Sequence, residues 1–328
     1  MSTAKEPTNS PQDALGRGRR WIAGAIAIGV LLYVGYALLR GWSDTADALS
    51  RFYWPMCIPV LGLTLVNYGL RYVKWTYLLG KVDVRLPHRT NLVVFATGLA
   101  MVISPGKAGE LIKPWLVSQC TTTPMTRTIP ALIAERGTDG IAVALLAAWG
   151  VSTYSSDGVG PVMVTLCASA LGIGLLSSES ATAAMLQVAR KLPLLGRIVP
   201  SIADSLLAMR SCLAPGPLLF TVILSLVAWW AECLGYWLVF RGLEVMTASL
   251  DTSTFLYAFA TLGGGPSPGG LGLADAFLVE GSTRLIEGLQ PAQAVAAALL
   301  IRVATLWFGV IMGAFALLGV DRILPNPP

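Results

Sequence analysis

The chain has 328 residues, of which 55% are hydrophobic and only 12% charged, with a mean hydropathy of +0.67 and a formal net charge of +5. A soluble domain carries about twice that charge fraction, so the composition excludes a water-soluble globular protein and predicts an all-α polytopic membrane protein. The modest positive charge fits basic loops on one side of a bilayer rather than nucleic-acid binding. The five scattered Cys and the single His88 supply no metal-ligand spacing, so neither metal nor cofactor is expected.

The segment to Gly18 is polar, contains Pro7 and Pro11, and is expected to be disordered. Arg17, Arg19 and Arg20 then precede apolar Trp21–Leu39. That run is too long for a signal-peptide core, and no small-residue cleavage pattern follows it before Arg40, so it reads as a retained first helix. Residues 19–320 form a single transmembrane domain on this reading, with full spans expected at 21–39, 53–73, 129–150, 159–176, 217–240 and 291–317. Two further apolar stretches, 91–120 and 253–280, are each split by Ser-Pro-Gly. Their halves hold about 10–13 apolar residues, too few to cross a core of ~30 Å, so each stretch reads as a re-entrant helical hairpin. Irregular backbone at membrane depth is tolerated only where protein or a water-filled cavity surrounds it.

Between these units, residues 177–214 form a cytoplasmic connection. Ile202, Leu206, Met209 and Leu213 recur at helical spacing behind the start signal of Ser201 and Asp204. An interfacial helix on anionic headgroups and a helix packed on the cytoplasmic face both satisfy that pattern. Trp21, Trp42, Trp54, Trp75 and Trp115 fall near element ends, as anchors at the membrane interface do, whereas Trp229, Trp230, Trp237 and Trp307 lie deeper, where packing is expected. Residues 321–328 form a short tail.

Basic residues set the orientation. With the N-terminus inside, the cytoplasmic side holds Arg17, Arg19, Arg20, Lys74, Lys81, Arg85, Arg89, Arg127, Arg190, Lys191, Arg197 and Arg210. The outside holds only Arg40, Arg51, Arg241 and Arg284. Both termini are therefore expected in the cytoplasm. The first hairpin then enters from the cytoplasm and the second from outside. Residues 53–150 and 217–317 become inverted repeats, each built as helix, hairpin, helix. Paired broken helices at matching places in two halves are the best sequence pointer to a transporter's binding site.

Charges in a bilayer are costly and demand a reason. Here they cluster in the two units, as Lys107, Glu110, Lys113, Glu135, Arg136, Asp139, Glu232, Asp275 and Arg302. After Ser104-Pro105-Gly106 a helix restarts, so its first N–H groups carry the positive end of the helix dipole. Lys107 and Lys113 lie in its first turns and complete a plausible pocket for a phosphate or carboxylate. Glu135 and Asp139, four apart, require cations, with Lys107, Lys113 or Arg302 as suppliers, and Arg136 can reach Asp139 at three-residue spacing. Such charges either clamp the hairpins to their neighbours or line a polar cavity for an anionic headgroup. Glu232 suits a satisfied structural carboxylate better than a proton carrier. At the second break, Pro268, Gly269 and Gly270 offer close backbone approach, and Asp275 and Arg302 offer the charges.

The string Ser104-Pro105-Gly106-Lys107-Ala108-Gly109-Glu110, the Glu135-Arg136-x-x-Asp139 helix and Pro268-Gly269-Gly270-Leu271-Gly272 together resemble the transmembrane region of the lysylphosphatidylglycerol synthases, a family of flippase-like membrane proteins. The late motif usually ends in Glu, and Asp275 stands near that place here. The resemblance spans roughly residues 50–320 and leaves no room for an aminoacyl-transferase domain, so the chain is similar to stand-alone members. It implies a lipid-handling role in a bacterial inner membrane. The expected function is translocation of an anionic lipid, such as a phospholipid, a polyprenyl-phosphate-linked lipid or a hopanoid-type glycolipid, without enzymatic chemistry. A membrane subunit assisting a glycosyltransferase or lipid-modifying enzyme is the alternative, and an enzyme acting on a lipid phosphate is the third reading.

Overall fold

The computed structural model describes residues 42–154, 159–191, 199–265 and 267–320, together with Gly24 and Gly35. The polar N-terminus to Gly18, the predicted first helix over 21–39, the loop cations Arg190, Lys191 and Arg197 as side chains, and the tail over 321–328 lie outside what is described. The described chain is helical throughout: α1 (Trp42–Ser50), α2 (Cys57–Lys81), α3 (His88–Ala100), α4 (Ile112–Cys120), α5 (Met125–Tyr154), α6 (Val159–Ser177), α7 (Glu179–Lys191), α8 (Val199–Leu213), α9 (Pro215–Gly242), α10 (Leu250–Gly263), α11 (Leu273–Leu285), α12 (Pro291–Arg302) and α13 (Phe308–Leu318).

Three continuous helical stretches, Trp54–Lys81, Pro215–Gly242 and Pro291–Leu318, are each 28 residues long and apolar enough to cross a membrane. At 1.5 Å per residue such a stretch reaches about 42 Å. Exposed Ile58, Leu219 and Phe315 cover outer faces that lipid can solvate. The first of these helices runs past its predicted end at residue 73. Lys74, assigned from sequence to a cytoplasmic loop, is 0% exposed. Its partner Asp139 lies inside the bundle, so the charge gives the helix no reason to stop.

The centre of the bundle is the antiparallel pair α2 and α9. The Tyr53 N–H donates to the Gly242 carbonyl at 2.9 Å, Asn67 Nδ2 to the Ala228 carbonyl at 2.9 Å, and the Tyr77 ring meets Phe220 at 4.7 Å. The two helices end alike. Val84 N–H reaches back to the Leu79 carbonyl at 3.0 Å, and Val245 N–H to the Phe240 carbonyl at 2.9 Å. Asp83 (φ 59°) and Glu244 (φ 60°) take the left-handed conformation that such helix ends demand.

From these opposite ends of the pair, two hairpins fold back into the bundle. The first comprises α3, two 3-10 turns (Met101–Ile103 and Pro105–Leu111) and α4. Its mouth is closed by an Arg127–Asp83 ion pair of 3.0 Å. The second comprises α10, the turn Pro268–Gly270 and α11, and its mouth is closed by Thr247 Oγ1 donating to the Glu287 carbonyl at 2.9 Å. Partners are exchanged: α3 packs on α13, and α10 packs on α5. The tips meet, with both 3-10 turns of the first hairpin touching Pro268–Gly270. Each hairpin has its own apolar core, one around Trp75, Phe95 and Leu116, the other around Tyr236, Phe255 and Leu278.

Two further expectations are corrected. Trp75 is no interface anchor: it is fully buried and donates Nε1 to Asn91 Oδ1 at 3.1 Å. Trp230, expected to pack, is exposed on the outer face. The α8 segment packs on α5, placing Met209, Cys212 and Leu213 in the core, and Ser205 Oγ donates to the Thr126 carbonyl at 2.6 Å. This favours the packed helix over one lying free on the headgroups.

Candidate functional site: two broken-helix tips and the charges behind them

At the first break Ser104 is extended (φ −74°, ψ 151°), as the residue before a proline prefers. Its hydroxyl donates to the Met101 carbonyl at 2.7 Å and accepts the Gly109 N–H at 2.7 Å. That N–H is therefore not open to a ligand, contrary to the simple picture of a bare helix start. Pro105 and Gly106 begin the 3-10 turn. The side-chain positions of Pro105, Gly106 and Lys107 lie outside those described.

Behind this tip, α5 projects Glu135, Arg136 and Asp139 into the bundle. Arg136 Nε lies 3.2 Å from Glu110 Oε2, its Nη2 is 2.5 Å from Glu135 Oε1, and its Nη1 is 3.4 Å from Asp139 Oδ2. Glu135 also takes Lys113 at 2.5 Å, and Lys113 Nζ lies over the Trp75 ring at 4.1 Å. Asp139 takes Lys74 at 2.5 Å, whose Nζ also donates to Ser225 Oγ at 2.7 Å. Three carboxylates thus face three cations. Of the predicted suppliers, Lys113 serves Glu135, Arg302 pairs with Asp275 instead, and the Lys107 side chain lies outside those described; Arg136 reaches Asp139 as its spacing allows, and Lys74 is the cation that was not foreseen. Lys113 is turned wholly into this network and away from the break. Within a dry interior each partner makes the other tolerable, while removing one leaves an uncompensated charge.

The second tip is built on backbone. Gly269 (φ 60°) and Gly270 (φ 74°) are both left-handed. A Cβ on Gly269 would lie 3.1 Å from Ile103 Cγ2 of the first tip, so glycine is what lets the tips touch. Arg302 donates Nη2 to the Gly269 carbonyl at 2.5 Å and pairs through Nε with Asp275 Oδ1 at 3.0 Å. Asp275 Oδ2 accepts the Gly272 N–H at 2.9 Å, capping α11. Immediately after Arg302 the helix widens into a π-turn, Val303–Trp307, and the Thr305 carbonyl accepts the Tyr68 hydroxyl. Tyr257 donates to Glu232 Oε2 at 2.7 Å, as expected of a satisfied carboxylate.

Two cavities flank the meeting point. One, of about 620 Å³, joins Glu110, Arg136 and Asp139 to an apolar side that includes Leu111, Ile133 and Leu262. The other, of about 100 Å³, lies among Tyr68, Arg71, Glu232, Tyr257, Gly270 and Arg302. Trp229, Thr261 and Gly265 line both. The structure therefore gathers Ser104, Glu110, Lys113, Glu135, Arg136 and Asp139 behind one tip, and Pro268, Gly269, Gly270, Asp275 and Arg302 at the other. Arg71 and Lys74 are the charged residues that sequence reasoning missed. A signal existed: Thr64, Asn67, Arg71 and Lys74 recur on one buried face of an otherwise apolar helix.

The family model for the lysylphosphatidylglycerol synthase TM region matches residues 20–313. The chain belongs to this family. It is an integral membrane protein, and membership carries a membrane-lipid-related role. Comparison with curated proteins and with solved structures finds no match. The three motifs that carried the resemblance occupy the two tips and the α5 charge cluster, so the family signature coincides with the contact between the hairpins.

Proposed function

We propose that this member of the lysylphosphatidylglycerol synthase transmembrane-region family is a translocase for an anionic lipid, lying in a bacterial inner membrane with both termini in the cytoplasm. The observation that carries the reading is the meeting of two broken-helix tips from opposite ends of an antiparallel helix pair, each backed by an arginine held by carboxylates. On this reading the hairpins are re-entrant, 53–150 and 217–317 are inverted repeats, and the tips form a septum reached from both sides. Inverted-repeat transporters place their sites at such discontinuous helices. The larger cavity suits the substrate's two halves, with charge at Glu110, Arg136 and Asp139 and apolar surface at Leu111 and Ile133, both of which are exposed at the bundle's edge. The headgroup crosses between the tips while the chains stay in the bilayer.

Reconstitution into liposomes with a fluorescent anionic phospholipid tests this. The protein should accelerate leaflet exchange. The Arg136→Gln, Arg302→Gln double variant should slow it by about tenfold or more, the consequence of losing about 1.4 kcal/mol of stabilisation at the crossing point. Exchange at the wild-type rate in that variant would remove these residues from the path. A protein inert alone that co-purifies with a membrane glycosyltransferase or lipid-modifying enzyme would instead support the accessory role.

A further inference from the structure

The charges behind the first tip compensate one another, and Arg302 has Asp275. Arg71 is different. It is 7% exposed, its Nε, like that of Arg136, has no hydrogen-bond partner, and its guanidinium carbon stands 5.9 Å from the centre of the Trp229 ring. Among the described residues, it is the cation lining either cavity that no carboxylate holds in an ion pair. It comes from α2 to line the smaller cavity, which Arg302 of α12 also lines beside Gly269 and Gly270. A buried guanidinium in no direct ion pair, compensated only at a distance by Glu232, Glu135 and Asp139, keeps donors for a partner that arrives beside it, and arginine's fork of donors matches phosphate oxygens.

We infer that the smaller cavity is a phosphate subsite, in which Arg71 and Arg302 together hold the phosphate group of the lipid. This deepens the translocase reading and rests on it for the identity of the ligand as a lipid. The volume of about 100 Å³ accommodates roughly three waters or one phosphate group. Three features fit the cavity to this role. Gly270 leaves room for the Arg302 guanidinium, since a Cβ there would lie 3.3 Å from Nη2. The π-turn after Arg302 brings the Thr305 carbonyl to Tyr68, and such turns recur at functional sites. Glu232 shares the cavity, and Tyr257 holds its Oε2 by a hydrogen bond, which leaves the arginine donors to the phosphate.

Thermal melting and native mass spectrometry of the full chain in detergent test this with three probes: dioctanoyl phosphatidic acid, the phosphate-free dioctanoylglycerol, and inorganic phosphate. Phosphatidic acid should bind and raise the melting temperature, while dioctanoylglycerol should not. Arg71→Met removes the guanidinium and keeps an unbranched apolar side chain. It should bind phosphatidic acid at least about tenfold more weakly, as loss of a charge-assisted pair implies, and lose the rise in melting temperature that the lipid gives the wild type. A residue with a purely structural role would lower the melting temperature but leave the rise on adding phosphatidic acid intact. Glu232→Gln, which removes a like charge from the cavity, should tighten binding, and Arg127→Gln at the exposed first hairpin mouth should leave it unchanged. Competition by inorganic phosphate means the site reads the phosphate itself. Its absence means the chains are needed too, and either result supports the subsite. Unaltered phosphatidic-acid affinity in Arg71→Met, or equal binding of dioctanoylglycerol, overturns it. Should Arg71→Met not fold, the Glu232→Gln affinity and the lipid comparison on wild-type protein still decide. The two proposals fail separately. Arg71-dependent binding without leaflet exchange sinks the translocase, whereas exchange unaffected by Arg71→Met sinks the subsite.

Discussion

Asp139 sits where three elements depend on it. It holds Lys74 of α2 at 2.5 Å and Arg136 of its own helix at 3.4 Å, and Lys74 in turn reaches Ser225 of α9. Asp139→Asn keeps the shape and removes the charge, leaving Lys74 with only neutral acceptors. Breaking a buried pair from one side costs about 3–5 kcal/mol, so this variant should unfold early in a denaturing-detergent titration. The double variant Lys74→Met, Asp139→Leu, which removes both charges, should recover most of that loss. If the double variant is no better than the single one, the pair is not the unit of stability. Lys113 is placed by a different device: a Cβ on Gly98 would overlap the Lys113 stem, so glycine at 98 opens the channel through which the amine reaches Glu135.

At the scale of elements, the contacts of the hairpins with their exchanged partners are set by small residues. α13 carries Gly309-Val310-Ile311-Met312-Gly313, and α3 meets it with Ala96 and Ala100. A Cβ on Gly313 would overlap the Ala100 backbone N and lie 2.6 Å from the Ala96 carbonyl oxygen. This is the close backbone approach that small-xxx-small spacing allows in membranes. Gly313→Ala should therefore cost about 1–3 kcal/mol, the usual price of overpacking, while Ala316→Gly one turn on, at a half-buried position, should cost no more than about 1 kcal/mol. The helix ends make the opposite prediction. Exposed Glu244 holds φ 60° without a side-chain partner that defines it, so Glu244→Gly should stabilise by about 0.5–1 kcal/mol in the same titration. Much of this level was legible beforehand. The Ser-Pro-Gly breaks, the two long apolar runs around them and the Glu135-Arg136-x-x-Asp139 helix are local signals, and local chemistry fixes them. What escaped was long-range. Lys74 looked like a loop residue because its partner lies on another helix. Gly313 has no meaning until α3 is laid against it, nor Gly309 until Tyr68 of α2 is, and the matching ends at Asp83 and Glu244 show only as backbone angles.

At the scale of the molecule, the antiparallel pairing of α2 and α9 puts the two hairpin mouths at opposite ends of the bundle, one bridged by Asp83 and Arg127, the other by Thr247 and Glu287. If the bundle crosses the membrane along that pair, the mouths face opposite compartments, which is the arrangement alternating access requires. Single cysteines at Thr122 and Met246, both exposed beside their respective mouths, can be tested with a membrane-impermeant maleimide in a chain that retains only Cys212. That native thiol does not interfere: burial in the α8 contact pushes it up to about 12, and the thiolate is the form that reacts. Met246→Cys should label in intact cells, and Thr122→Cys only after the membrane is opened. The reverse pattern would invert the orientation drawn from the basic loops and leave the proposed inverted repeat intact. Labelling of both positions from one side would overturn the proposed inverted repeat itself. The tips could then no longer be a septum between compartments, and the contact between Ile103 and Gly269 would be only a packing joint.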